Sequence, residues 1–331
     1  MAIASARSSL EWAVVASATA FIFAVFTVLV PVVASAGRAP NEALVTSQLA
    51  EKVVFVDLAT LKVSAELSVP GKPAGIALSP DRRRAYVTAP EAKELVVIDA
   101  AQRTVLKRLK IGNGPLGVAV HPVDGRIFVA DWYDHRLAVV DPRSFEVIAH
   151  IPVGESPSGV AVTPDGTRVL SADRDSHQVS VIDAATLRVI KVVPVGQRPF
   201  GVTIDAAGTR AYTANVKSDD VSVIDIELGK TIATVKVGRR PYAIALAQGR
   251  AFITDQYVET VSVIDLDDLE VIKTISVGAY PEGIAADKSG RYVYVACWED
   301  NTLERIDAHL LTVTGRVEVP DGPRAFGDFL R

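Results

Sequence analysis

The chain has 331 residues, a formal net charge of −4, 49% hydrophobic residues and a single cysteine. One thiol excludes an internal disulfide and any Cys-x-x-Cys-His attachment of c-type haem. An acidic balance without a basic stripe excludes the footprint of a nucleic-acid binder, and a Val- and Ile-rich composition suits a pleated core.

The first element is apolar. Residues 13–36 read AVVASATAFIFAVFTVLVPVVASA, with eighteen apolar or small residues from Ala13 to Val30, close to the length that spans a bilayer. Pro31 and the Ala34-Ser35-Ala36 site before Gly37 mark a secretory signal. Residues 1–36 are therefore expected to be a cleaved signal peptide or a retained membrane anchor, and 37–42 a linker. Both alternatives export the rest of the chain, to the periplasm or beyond the cell.

From residue 43 the chain repeats. Asp57, Asp99, Asp141, Asp183, Asp225, Asp265 and Asp307 are separated by 42, 42, 42, 42, 40 and 42 residues, each closing a run such as VVFV or VSVI. Pro73, Pro115, Pro157, Pro199, Pro241 and Pro281 precede the next aspartate by 26 residues in five cases and 24 in one, and Pro323 continues the series. A fixed period near 40 marks a propeller or another repeat array. Within the unit after Gly154, strands are expected at 159–162, 168–172, 178–182 and 187–195. Asp165 and Gly166 turn the first hairpin, and Asp183 bonds back to the turn after it. Four strands with short loops fill the period and leave no room for a crossover helix, so each sheet is antiparallel.

The phase of the repeat gives the closure. The chain enters midway, at ALVT (Ala43 to Thr46), without a first strand, while Gly322 to Leu330 supplies a proline-led segment at the other end. A ring closes by pairing the two, which removes exposed sheet edges. The expectation is an all-β, seven-bladed propeller over 43–331, with six complete blades and one split blade. In the unit at Pro241 the first hairpin is shortened to AQGR (Ala247 to Arg250).

The phrases GxxPxGVAVxPDGxRxYVTN and VSVID resemble the YVTN β-propeller repeats of bacterial and archaeal extracytoplasmic proteins, over residues 43–331. That resemblance implies the propeller fold and relatives as different as surface-layer proteins, amine dehydrogenase heavy chains and haem-binding propellers of nitrite reductases. At the fourth letter of YVTN this chain carries Ser47, Ala89, Asp131, Asp173, Asn215, Asp255 and Cys297.

Candidate site residues come from the loops. The residue after each proline should crowd the channel: Ala74, Leu116, Ser158, Phe200, Tyr242, Glu282 and Arg324. Glu282 and Arg324 either pair with each other or orient a ligand. Asp131, Asp173, Asn215 and Asp255 form an arc of oxygens that Ca2+ would suit, or else make local turns. Trp132, Tyr133, Tyr257 and Trp298 place rings on the same face, as a surface for a protein partner or flat ligand or as packing between loops. His135 and His177 share one offset in neighbouring units but should diverge too far to share a metal, and Cys297 is expected to be a small buried residue. No nucleophile elbow, phosphate loop or His-Glu-x-x-His motif is present, and no cofactor is recognisable. The expected function is a non-catalytic binding or scaffold propeller; the alternative is an enzyme or redox-enzyme subunit, either like an amine dehydrogenase heavy chain or a channel-mouth metal-dependent hydrolase or lyase.

Overall fold

A computed structural model describes residues 41–331; the expected leader and most of the linker lie outside the described residues. The described chain is a seven-bladed propeller of antiparallel sheets. Blade 1 begins with β1 (Glu42–Ser47), β2 (Lys52–Asp57) and β3 (Lys62–Ser68). Blades 2 to 7 start at Pro73, Pro115, Pro157, Pro199, Pro241 and Pro281. In blade 4 the strands are Pro157–Val162, Arg168–Asp173, Gln178–Asp183 and Arg188–Pro194, within two residues of the expected bounds. The two middle strands are buried almost throughout and the fourth alternates towards solvent, as a blade sandwiched between neighbours requires.

The repeated letters have local reasons. Each repeat aspartate ends the third strand and accepts backbone N–H groups of the next turn: Thr60 N to Asp57 Oδ1 at 2.7 Å, Thr186 N to Asp183 Oδ1 at 2.8 Å, Leu228 N to Asp225 Oδ1 at 2.7 Å. Thr46, Thr88 and Thr254 join blades, their hydroxyls donating to the next blade's first strand at Ala74 O (2.8 Å), Leu116 O (2.7 Å) and Glu282 O (2.8 Å). Two residues after the proline the neighbouring strands come closest. A Cβ on Gly117 would lie 1.9 Å from Ser158 O, and one on Gly159 2.5 Å from Phe200 O, so only glycine fits there.

The ring closes through the C-terminus. Leu44 N donates to Phe329 O at 2.8 Å, Arg331 N to Glu42 O at 2.8 Å, Gln48 N to Gly322 O at 2.7 Å and Arg324 N to Thr46 O at 2.7 Å. The segment is not the uninterrupted strand expected. It bridges β1 at its two ends, Ala43 with Leu330 and Ser47 with Pro323. Between them Phe326–Gly327 leaves to pair in parallel with Gly75 and Ile76 of blade 2. Positive φ at Ala325 (44°) and Gly327 (126°) permits the detour, which carries the Phe326 ring into the channel.

The shortened hairpin of blade 6 is a two-residue turn. Ala247 pairs with Arg250, and Gln248 and Gly249 take φ of 52° and 69°, the geometry that matches strand twist. It lies at the end of the propeller opposite the loops that enter each blade. Restoring Pro-Asp there should change the turn alone; ligand or partner affinity within twofold of wild type is the expected outcome, and a large loss would place function on the hairpin face.

Candidate functional site

Two sets of loops share one face. The loop after each second strand clasps the loop that enters its own blade: Trp132 N donates to Gly114 O at 2.9 Å, Val216 N to Arg198 O at 2.9 Å and Trp298 N to Tyr280 O at 3.0 Å. The residue before the proline sits in the left-handed region at Lys72, Ser156, Arg198, Arg240 and Tyr280, with φ from 55° to 60°. These bends fix where the side chains stand around the mouth.

On this face the channel is plugged. Phe200 stacks on Tyr242 with centroids 4.2 Å apart, Phe326 meets Phe200 at 5.2 Å and Tyr242 at 5.5 Å, and Trp132 closes on Phe200 at 6.3 Å. Ala74 and Leu116 complete the apolar wall, while the Ser158 hydroxyl bonds Ala172, Pro199 and Phe200 carbonyls. Glu282 and Arg324 are brought together: Arg324 Nε lies 3.1 Å from Glu282 Oε2, and Gln256 Nε2 donates to Glu282 Oε1 at 2.9 Å. Arg324 also donates to the Tyr242 hydroxyl. Burial raises the Glu282 carboxyl against the pull of Arg324 and Arg240, and burial likewise raises Tyr242. Burial alone would lower Arg324, but the Glu282 charge holds it above its usual value. These groups engage one another, so the pair acts as a buried clamp between blades.

Beside the plug lies a pocket of about 390 Å³ walled by Leu49, Lys72, Pro90, Glu91, Leu116, Trp132, Tyr133, Phe200 and Arg324. Tyr133 is 69% exposed and Leu49 49%. The expected aromatic surface divides in two. Trp132 and Tyr133 line this pocket, whereas Tyr257 and Trp298 are joined through Tyr280, at 6.0 and 5.8 Å, over blades 6 and 7.

The oxygen arc is not drawn into one site. Asp131 Oδ1 accepts Asn113 N (3.0 Å) and Gly114 N (2.9 Å), and Asp173 accepts Gly154 N, Gln178, Ser171 and Ser180. Asn215 Nδ2 donates to Asp220 and Ser222, and Asp255 Oδ2 accepts Thr260 and Ser262. All four are buried within their own blades, tying the second strand to the third or to the incoming loop. Among the described residues no group of three or more His, Cys, Asp or Glu is placed to hold a metal ion. His135 and His177 do a similar job: Nδ1 of each accepts a backbone N–H from the next loop, Ser156 N at 3.0 Å and Arg198 N at 3.1 Å. Cys297 is buried as expected. Blade 7 moves its acid across the sheet: Cys297 stands where blades 3, 4 and 6 have Asp and blade 5 has Asn, and buried Glu304, 2.5 Å from Arg316 Nη2, stands where blades 4 to 6 have Ser180, Ser222 and Ser262.

Burial pushes Asp255 up to about 6 against its hydrogen bonds, and its Oδ1 has no partner. A carboxyl raised on folding destabilises the native state once ionised, so the cost accrues as pH rises from about 4 to 6 and is complete at 7. Asp255→Asn, the residue blade 5 uses at Asn215, should gain on wild type by about 2 kcal/mol between pH 4 and 7 in urea unfolding. A gap that stays constant with pH would contradict the assignment.

Sequence reasoning missed Arg174 and Phe326. Arg174 occupies the position of Trp132 and Trp298 one residue beyond the repeat's fourth letter, a column that reads Gln48, Pro90, Trp132, Arg174, Val216, Gln256 and Trp298. Phe326 gave no signal, because its place depends on the detour of the last segment.

A YNCE-like beta-propeller family matches residues 32–126, and the NHL repeat matches residues 113–140. The chain is a β-propeller repeat protein. No curated protein matches its sequence. Among solved structures, Kuenenia stuttgartiensis hydrazine synthase is similar with a TM-score of 0.69 at 19% identity, over 77% of this chain and 89% of that one. A functionally unknown protein from Desulfotomaculum acetoxidans DSM 771 gives 0.74 at 17%, over 87% and 98%. Dihydro-heme d1 dehydrogenase NirN in complex with DHE gives 0.64 at 16%, over 85% and 74%. At these identities the likeness is one of fold.

Proposed function

We propose that this propeller, of the YVTN kind, is exported and binds a protein partner or small ligand, without catalysis, on the face where the two sets of loops meet. The pocket beside Trp132 carries the proposal. Its volume of about 390 Å³ lies within the small-ligand range of roughly 300–1,000 Å³, and its rim exposes Tyr133 and Leu49. A larger cavity of about 700 Å³ opens at the hairpin end, but glycine, alanine and valine of the innermost strands make most of its wall. Its charged groups are engaged: Arg82 with Asp328 at 2.5 Å, and Asp205 with its own turn. It offers few groups for recognition.

The test passes an envelope extract of the native host over wild-type protein and over W132A/Y133A. The expected result is a compound or protein retained by wild type, lost from the variant and released unchanged. A released compound that differs from the one supplied would move the assignment to an enzyme subunit, for which the folds of hydrazine synthase and NirN are the precedent. Fractionation with N-terminal sequencing tests export: Gly37 as first residue supports cleavage, Met1 in membranes supports the anchor, and soluble cytoplasmic full-length protein refutes both.

A further inference from the structure

The loop face of blades 4 to 6 holds a group of arginines. Arg174, Arg198, Arg240 and Arg324 stand on these loops, and Asp175 and Glu282 are the carboxylates paired with their side chains. Glu282 pairs with Arg324 at 3.1 Å and also feels the charge of Arg240. Asp175 serves both Arg174, at 2.8 Å, and Arg198, at 3.6 Å, too far for a hydrogen bond. Arg198 therefore donates no side-chain hydrogen bond among the described residues. Arg240 gives Nε to the neutral Gln256 amide at 2.7 Å. Arg174 and Arg198 thus share one carboxylate, and the Arg240 side chain has a neutral hydrogen-bond partner.

Their placement is rigid. The backbones of Arg198 and Arg240 take φ of 60° and 57° and are held from both sides. Arg198 N donates to His177 and its carbonyl accepts from Val216; Arg240 N donates to Asp219 and its carbonyl accepts from Gln256. Arg174 Cζ lies over the Trp132 ring at 5.2 Å and Arg240 Cζ over the Tyr257 ring at 4.8 Å, so two guanidinium groups are held against rings. Burial lowers the pKa of Arg174, Asp175 raises it, and the charges of Arg198 and Arg240 lower it again, so both repel Arg174. An incoming anion relieves that repulsion and takes fork-shaped donors already oriented.

We propose that Arg174, Arg198 and Arg240 form an anion site that takes an aromatic polycarboxylate, its carboxylates on the guanidinium edges and its ring on the Trp132 side of the mouth. This rests on the reading that the loop face binds a ligand and names the ligand's class. Trp132 and Phe200, tilted by 52° to each other, supply the aromatic wall, which an aliphatic anion or phosphate would leave unused.

The test uses the full-length protein and three probes of known structure: benzene-1,3,5-tricarboxylate, propane-1,2,3-tricarboxylate and inorganic phosphate, titrated by calorimetry at low ionic strength. The expected order is the aromatic tricarboxylate at least tenfold tighter than the aliphatic one, with phosphate weakest. R198Q/R240Q, which changes two loop side chains and should melt as wild type does, should weaken the aromatic probe at least 30-fold. R174Q, tested alone, should weaken it at least fivefold. Equal affinity for the two tricarboxylates, tightest binding of phosphate, or unchanged binding to R198Q/R240Q would overturn the proposal, as would no binding of any probe. If native cargo is still retained through Trp132 while these probes fail, the anion site falls and the loop-face reading stands. If the cargo experiment fails as well, both fall.

Discussion

Removing residues 322–331 will yield a chain that is insoluble, or that a protease digests at concentrations leaving wild type intact. The segment places Phe326, Phe329 and Leu330 in the core, at 5%, 0% and 8% exposure. Losing their burial costs about 5 to 9 kcal/mol at roughly 1.5–3 kcal/mol per side chain, a large part of the 5–15 kcal/mol that holds a typical domain folded. Deletion also strips the hydrogen bonds from β1 and leaves its edge open to other chains. Arg324 goes too, leaving the Glu282 carboxylate buried without its cation. A truncated chain that melts at the wild-type temperature would refute closure through this segment.

The ring was legible because a repeat states its geometry many times. The spacing of the aspartates and prolines gave the blade count, the Pro-Asp-Gly turn gave the first hairpin, and the split phase gave the closing segment. Each of these depends on contacts inside one unit or between adjacent units. The detour at Phe326–Gly327 was not legible, since it answers a space at the centre of the ring that all blades define together. The site was legible in part for the same reason. Glu282 and Arg324 lie at one offset in consecutive blades, so their pairing could be foreseen as an alternative. The arc from Asp131 to Asp255 shared an offset as well, but equivalent positions on a ring point into separate blades, and each acid met its own serine, threonine or glycine amide. Arg174 escaped notice because its importance comes from Arg198 and Arg240 in the following blades, which a repeat alignment places in another column.

Replacing Trp132 and Trp298 together by alanine should weaken complex formation by roughly 2 kcal/mol or more, about 30-fold in Kd, the scale of an interface hot spot. Both rings stand at the mouth on loops braced by backbone hydrogen bonds, and both are half-buried in the free protein. Trp132 contacts Phe200 and carries Arg174, while Trp298 contacts Tyr280. Neither lies in the strands that build the blades, so the melting temperature should fall little while affinity falls much. A large drop in melting temperature with affinity preserved would make the rings packing between loops, the alternative that composition alone left open.

The most direct measurement of the loop-face assignment is amide hydrogen exchange with and without saturating cargo. Binding at this face predicts added protection in the loops at 131–136, 173–178, 195–199 and 237–241, with none in the hairpins at 163–168 and 205–210. Protection confined to those hairpins, around the 700 Å³ cavity at the other end of the channel, would contradict it.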